Sequence, residues 1–215
     1  MSNLQDSPDT TQPPHYTGSG DQGRTVFGVL GEVGKQDVRV VAHGGCEEAN
    51  AAIGVVLALG SLTTYVTATL ASVQDDLFDL AADLSEPVSR QTESTVRIVD
   101  AHIERLERAC DHYSSQLTPK DGEVLPGGTV ASALMYQART VVRRAERNTW
   151  VAVEQHPDSV NPLTARYLNR LSSMLFVLAR GANVEHGDSI WRPGASVTPV
   201  PQVAPEEQMD ATAST

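Results

Sequence analysis

Three stretches of this 215-residue chain place an apolar side chain at alternating steps of three and four, and that spacing decides what the chain can fold into. Val66, Leu70, Val73, Leu77, Leu80 and Leu84 form the first stripe. Val96, Val99, Ile103, Leu106, Cys110 and Tyr113 form the second, and Leu168, Leu171, Leu175, Leu178 and Ala182 the third. Residues three and four apart share one side of an α-helix, so each stripe is a face that needs a partner. Two further helices are expected. One runs from about Glu47 to Leu59, closed by Gly60, with Ser61 capping the helix that follows. The other runs from about Thr129 to Glu154, after Pro126-Gly127-Gly128, which cannot itself be helical. No alternating strand pattern of comparable length competes. Five helices with short connections predict an all-α protein, a five-helix antiparallel bundle.

The flanks have a different composition. Residues 1–15 are rich in Asp, Ser, Thr, Gln and Pro with Leu4 as the one large aliphatic, and residues 192–215 contain no Leu, Ile or aromatic. Such segments cannot bury enough apolar surface to offset the entropy of ordering them, so both are expected as disordered tails around a helical domain over 16–191. The polar first residues contain no apolar run of the signal-peptide kind, and no stretch reaches the ~20 apolar residues of a membrane span. The chain therefore reads as cytoplasmic, without a membrane partner. Cys46 and Cys110 occur without a CxxC or Cys/His cluster, and the six histidines show no HxxxH or HExxH spacing, so no protein-borne metal site is signalled.

With 27 acidic and 16 basic residues the formal charge is −11, the opposite of what nucleic-acid binding requires. The charge is unevenly spread. From Arg139 to Arg180 seven arginines face three acids, so that segment is +4 and the rest of the chain −15. Arg139, Arg143 and Arg147 recur every fourth residue, on one helix face, where three cations repel each other unless something negative lies there. A bound polyphosphate would answer this, because guanidinium groups match phosphate oxygens as paired donors. Salt bridges to Glu47, Glu48, Asp75 or Asp76 would answer it equally. Glu47 and Glu48 are themselves explained by a helix start, where carboxylates meet the positive end of the dipole. A second candidate is Gly18 to Gly23, which spells GxGxxG. The dinucleotide fold needs a strand before and a helix within that motif, and His15-Tyr16-Thr17 with Gly28, Gly31 and Gly34 supplies neither. A glycine-rich loop over 16–34 remains, either an anion-binding nest of backbone N–H groups or a mobile segment.

Four stretches together resemble the PduO-type corrinoid (cob(I)alamin) adenosyltransferases: Tyr16 to Thr25, Lys35 to Gly54, Leu125 to Gly128 leading into Ala138 to Arg147, and Tyr167 to Arg180. They stand in that family's order across roughly Tyr16 to Trp191. The resemblance implies a homotrimer of five-helix bundles that moves the 5′-deoxyadenosyl group of ATP onto reduced cobalamin with release of triphosphate. ATP would lie at each subunit interface, between the loop of one subunit and the arginine-rich helix of its neighbour. By position, Thr17, Ser19, Gly20, Asp21, Gly23, Thr25 and Lys35 would surround the triphosphate and Arg143 would bind phosphate. Glu146 and Asn169 would meet the adenosine side, Arg139 would pair across the interface with Glu47 as the catalytic pair, and Mg2+ would bridge phosphate oxygens. The chain departs from the family's pattern at Gly18, Gln22, Glu47, Tyr136 and Ser173, and at Glu123, where the family carries the aromatic that displaces cobalamin's lower base. Those departures leave open a diverged paralogue, either repurposed for another reaction or binding ATP or corrinoid without turnover.

Overall fold

The computed structural model describes residues 16–90, 92 and 94–197. It contains the five expected helices, α1 (Val38–Leu59), α2 (Thr64–Leu84), α3 (Asp100–Ser114), α4 (Val130–Gln155) and α5 (Pro162–Gly181), preceded by a short antiparallel hairpin of β1 (Arg24–Val26) and β2 (Glu32–Gly34). In the hairpin Thr25 pairs with Val33, and the intervening residues close as a 3-10 turn over Gly28–Leu30. α1 packs on α2 and α4, and α5 packs on α4 and α3. The turns joining α1 to α2 and α4 to α5 are short, which forces each of those pairs to run antiparallel. No described helix is long and apolar enough to cross a membrane. Residues 1–15 and 198–215, most of both expected tails, lie outside the described residues. Ala195–Val197, inside the expected C-terminal tail, forms one turn of 3-10 helix.

The stripes face the core as the spacing requires. Leu70, Val73, Leu77 and Leu80 of α2, Ile103 and Leu106 of α3, and Leu168, Leu171, Leu175 and Leu178 of α5 are all buried. Around them lie Ile53, Met135 and Val142, so the apolar faces of the five helices close on one another. Two buried carboxylates interrupt this apolar packing. Asp76 accepts from the Tyr167 hydroxyl at 2.6 Å and from Arg105. Burial, and then the Asp76 charge, push the Tyr167 hydroxyl well above its ordinary pKa, so it stays a donor. Asp83 ties the connector between α2 and α3 to the start of α5, as argued below.

Three boundaries differ from the sequence expectation. α1 does not open at Glu47 but at Val38, and Glu47 and Glu48 stand inside it. Asp37 is the cap: its carboxylate accepts from Arg39 N at 2.9 Å and from the Arg39 guanidinium at 2.8 and 3.0 Å, chiefly for which its pKa falls to about 2. Within α1, Gly45 sits where α4 crosses, and a Cβ there would lie 3.2 Å from the Ala145 backbone. The dipole explanation of Glu47 and Glu48 therefore fails. Ser61 does not cap α2; Thr63 does, while Ser61 takes φ +47° in the turn. Val96 and Val99 precede α3, because the connector to Asp100 is extended there. By contrast Thr129 caps α4 through its hydroxyl, as the Pro126-Gly127-Gly128 punctuation led one to expect.

That punctuation is also strictly required. Gly128 has φ +91°, and a Cβ there would fall on the Asn183 carboxamide, which accepts from Thr129 N at 3.0 Å and donates to Gly127 O at 3.0 Å. Gly128→Ala will therefore lower the unfolding free energy by about 1–3 kcal/mol, read from the urea midpoint, through backbone strain and the displaced amide. An unchanged midpoint would show that the turn relaxes freely.

Candidate functional site

The glycine-rich loop is held by its own turns. Asp21 N donates to Gly18 O, Gly23 N to Gly20 O at 3.0 Å, and Lys35 N to Gly23 O at 2.8 Å. Gly18, Gly20 and Gly23 all take positive φ, at 72°, 116° and 75°, so glycine at position 18 suits its turn. The Lys35 ammonium lies over Gly20, where a Cβ would meet Nζ at 3.1 Å. The structure thus brings Lys35 onto the loop together with Thr17 and Ser19, whose hydroxyls are bonded at 2.8 Å. Thr17, Ser19, Asp21 and Gly23 are exposed, and no ion pair joins Asp21 or Lys35 among the described residues. The result is a polar, N–H-rich loop carrying one free cation.

Thr25 lies further along, on β1, where it lines a cleft of about 420 Å³ between the hairpin and α1 with Phe27, His43, Glu47 and Ser85. Sequence reading missed the cleft because only the fold brings Ser85, at the end of α2, against Gly28: a Cβ on Gly28 would lie 2.5 Å from Ser85 O. Glu47 is exposed on the cleft's rim, with His43 Nδ1 3.8 Å away and the His43 ring edge-on to Phe27. No ion pair joins Glu47 to Arg139 within the chain.

The arginine segment divides into two classes. Arg144 pairs with Glu48 at 2.6 Å, Arg166 with Asp100 at 3.5 Å, Arg170 with Glu107 at 2.7 Å and Arg180 with Asp188 at 2.6 Å. For these four, acidic neighbours are the answer. Arg139, Arg143 and Arg147 have no carboxylate partner among the described residues. The Arg139 guanidinium sits 5.4 Å over the Phe176 ring, with its Nε buried and unbonded. Burial first, and the Arg143 charge second, lower its pKa from the ordinary arginine value. The stripe on α4 is thus a row of unneutralised cations.

Beside it Glu146 and Asn169 meet across α4 and α5, Asn169 Nδ2 donating to Glu146 Oε1 at 3.0 Å. Arg170, bound to Glu107, donates to Asn169 Oδ1 at 2.8 Å and so fixes which way the amide points. Of the remaining departures, Tyr136 is buried edge-on to Phe176 with its hydroxyl unbonded, Ser173 is exposed, and Glu123 is exposed with Lys120 Nζ 3.3 Å away. Ten of the sequence-derived residues therefore form two groups, Thr17, Ser19, Gly20, Asp21, Gly23 and Lys35 on the loop, and Arg139, Arg143, Glu146 and Asn169 on α4 and α5, while Thr25 and Glu47 stand at the cleft between hairpin and α1. Among the described residues no hydrogen bond or ion pair joins one group to the other.

The cobalamin adenosyltransferase family model matches residues 15–182. A corrinoid adenosyltransferase of Mycobacterium tuberculosis is 50% identical over 184 residues, covering 85% of this chain and 95% of that protein. One from Bacillus subtilis is 34% identical over 175 residues, covering 80% of this chain and 88% of that protein. Among solved structures, a variant PduO-type ATP:corrinoid adenosyltransferase from Lactobacillus reuteri, complexed with cobalamin and ATP, superposes with a TM-score of 0.74 at 29% identity, covering 84% of this chain and 97% of that one. With five helices in the same arrangement and a family match over most of its length, this chain belongs to the cobalamin adenosyltransferase family.

Proposed function

We propose that the protein transfers the 5′-deoxyadenosyl group of ATP to reduced cobalamin, releasing triphosphate, as a homotrimer with one site at each subunit interface. The observation that carries this reading is the unneutralised arginine row on α4, in a segment whose other arginines are all paired. A triphosphate is a ligand of the right charge and geometry for it. The two groups of site residues do not complete each other within one subunit, which supports a site built from the loop of one copy and α4 and α5 of the next. The identity to corrinoid adenosyltransferases supports turnover over a diverged, inactive paralogue.

In this reaction the cobalt of the reduced substrate bonds to the 5′ carbon of ATP, the C5′–O5′ bond breaks, and its electron pair leaves with the triphosphate. No side chain is required as a base. Lys35, Arg143 and the loop N–H group of Gly20 would take up the leaving charge, an electrostatic contribution made before the bond breaks. Asn169, held by Arg170 and Glu146, would orient the nucleoside, which fixes the 5′ carbon for attack. Glu47 would meet Arg139 of the neighbouring copy and relieve its unpaired burial. No described cluster of His, Cys, Asp or Glu could hold a metal ion alone. Mg2+ would ride on phosphate oxygens, with Asp21 as the nearby carboxylate.

The test is direct. Purified protein given ATP, Mg2+ and chemically reduced cobalamin will yield a light-sensitive adenosylcobalamin spectrum with release of triphosphate. Absence of that product in protein that binds both substrates would reject the reading.

A further inference from the structure

After α5 the chain turns back along the Pro126-Gly127-Gly128 turn and is fixed there at both ends. Asn183, 2% exposed, holds Gly127 O and Thr129 N, and Thr129 Oγ1 donates to Ala182 O at 3.1 Å. The partly buried Arg180–Asp188 pair holds the far end, with Arg180 Nη2 reaching Thr118 O at 2.9 Å. The last residues form an isolated antiparallel bridge, Val124 opposite Ile190, flanked by Leu125 N→Ser189 O and Trp191 N→Glu123 O, both 2.8 Å. In such a ribbon directly opposed residues project from the same face, and their neighbours along the strand from the other. Val124 packs against the core. Glu123, Leu125, Ser189 and Trp191 therefore share the outward face, with Trp191 directly across from Glu123.

That face has the features of an apolar binding platform. Leu125 and Ser189 line a cleft of about 290 Å³ with Gly127 and Gly128, and the space a Cβ on Gly127 would take is open, leaving room for a ligand edge. Trp191 is 53% exposed, although an indole gains more than most side chains from burial. It is not a loose terminus, since the bridge and the Arg180–Asp188 pair hold its backbone. Glu123, 77% exposed at its side chain and drawn toward Lys120, supplies charge and no apolar surface.

We propose that Trp191 is the aromatic against which this chain seats its corrinoid, giving from the opposite strand the apolar contact that Glu123 cannot give. The inference rests on the corrinoid being the substrate. A corrin is a broad macrocycle with apolar faces and a carboxamide rim, which matches an indole beside a glycine-lined cleft edged by a serine hydroxyl. The rim carboxamides would meet Ser189 and the backbone of the turn. Trp191 is thus a specificity-determining contact for the corrinoid.

Titration of the full-length protein, with ATP present, by cob(II)alamin followed in the visible spectrum tests this. Trp191→Ala will raise the corrinoid Kd about tenfold or more and leave the ATP Kd within about twofold, while Trp191→Phe keeps the corrinoid Kd within about threefold. Adding Glu123→Phe to Trp191→Ala will restore most of the lost affinity, because the new ring returns an apolar surface to the same face. Unchanged corrinoid affinity in Trp191→Ala would overturn the proposal. So would a parallel loss of ATP affinity or a changed oligomer size, which would make Trp191 a structural or interface residue. Wild-type protein that binds ATP but no corrinoid would instead overturn the substrate assignment, and this inference with it.

Discussion

Arg143→Ala will lower ATP affinity about 100-fold while leaving the thermal midpoint within about 1 °C. Arg143 is exposed on α4 and bonded to nothing among the described residues, so its removal opens no cavity and strands no buried partner. Hydrogen bonds to charged groups contribute about 1.5–3 kcal/mol each, and a guanidinium presents two donors side by side to one phosphate. Losing such a pair corresponds to about two orders of magnitude in binding. The adjacent position is the control. Arg144 is already paired with Glu48 at 2.6 Å, both side chains about half exposed, so Arg144→Ala will change stability by less than about 1 kcal/mol and leave ATP affinity alone. Isothermal titration of ATP into the three proteins reads the contrast. Wild-type affinity in Arg143→Ala would remove Arg143 from the phosphate site, and equal losses in both variants would mean that overall charge rather than position sets binding.

Those two residues also mark how far sequence alone could reach. Step patterns of three and four identify three of the five helices because burial along one face is a one-dimensional property, and the Pro126-Gly127-Gly128 punctuation placed the start of α4 at Thr129, its cap. Arg143 and Arg144 are chemically identical and adjacent in the chain. Only the packing of α1 on α4, which places Glu48 opposite one and not the other, separates them. The start of α1 was misplaced because the apolar spacing does not mark Asp37, whose carboxylate caps the helix by accepting from Arg39 N. The ribbon carrying Trp191 was illegible for a related reason. Its pairing is a single bridge between distant segments, with no alternating run to announce it. The loop was legible as glycine-rich and polar, but its turns, with positive φ at Gly18, Gly20 and Gly23, and the Lys35 ammonium over Gly20 were not. Site residues placed by resemblance fell into two groups within one subunit, and a single chain's sequence holds no signal for how two copies meet.

The largest stability effect will come from a residue outside the proposed ligand contacts. Asp83 is fully buried at the end of α2, and its carboxylate accepts from Arg97 Nη1 at 2.6 Å, Ile98 N at 2.9 Å and Asn161 Nδ2 at 2.7 Å. Arg97 in turn donates to the carbonyls of Glu86 and Pro87, both at 2.6 Å, so one ion pair gathers the connector between α2 and α3. Asn161 caps α5 by accepting from Leu163 N at 3.0 Å, which extends the same cluster to the helix that carries Asn169. In Asp83→Ala the guanidinium keeps its carbonyl partners but loses the charge that balances it, and Ile98 N is left without its acceptor. Breaking one side of a buried pair costs about 3–5 kcal/mol. That is a large share of the ~5–15 kcal/mol that holds a domain of this kind. Urea unfolding followed by circular dichroism will therefore show a midpoint far below wild type, whereas Arg166→Ala, whose pair with Asp100 is long and exposed, will shift it by less than about 1 kcal/mol. ATP affinity of folded Asp83→Ala protein, measured well below its transition, will match wild type, because no proposed ligand contact includes the cluster. A wild-type midpoint in Asp83→Ala would mean that the connector is held by the apolar burial of Ile98 and Val160 alone.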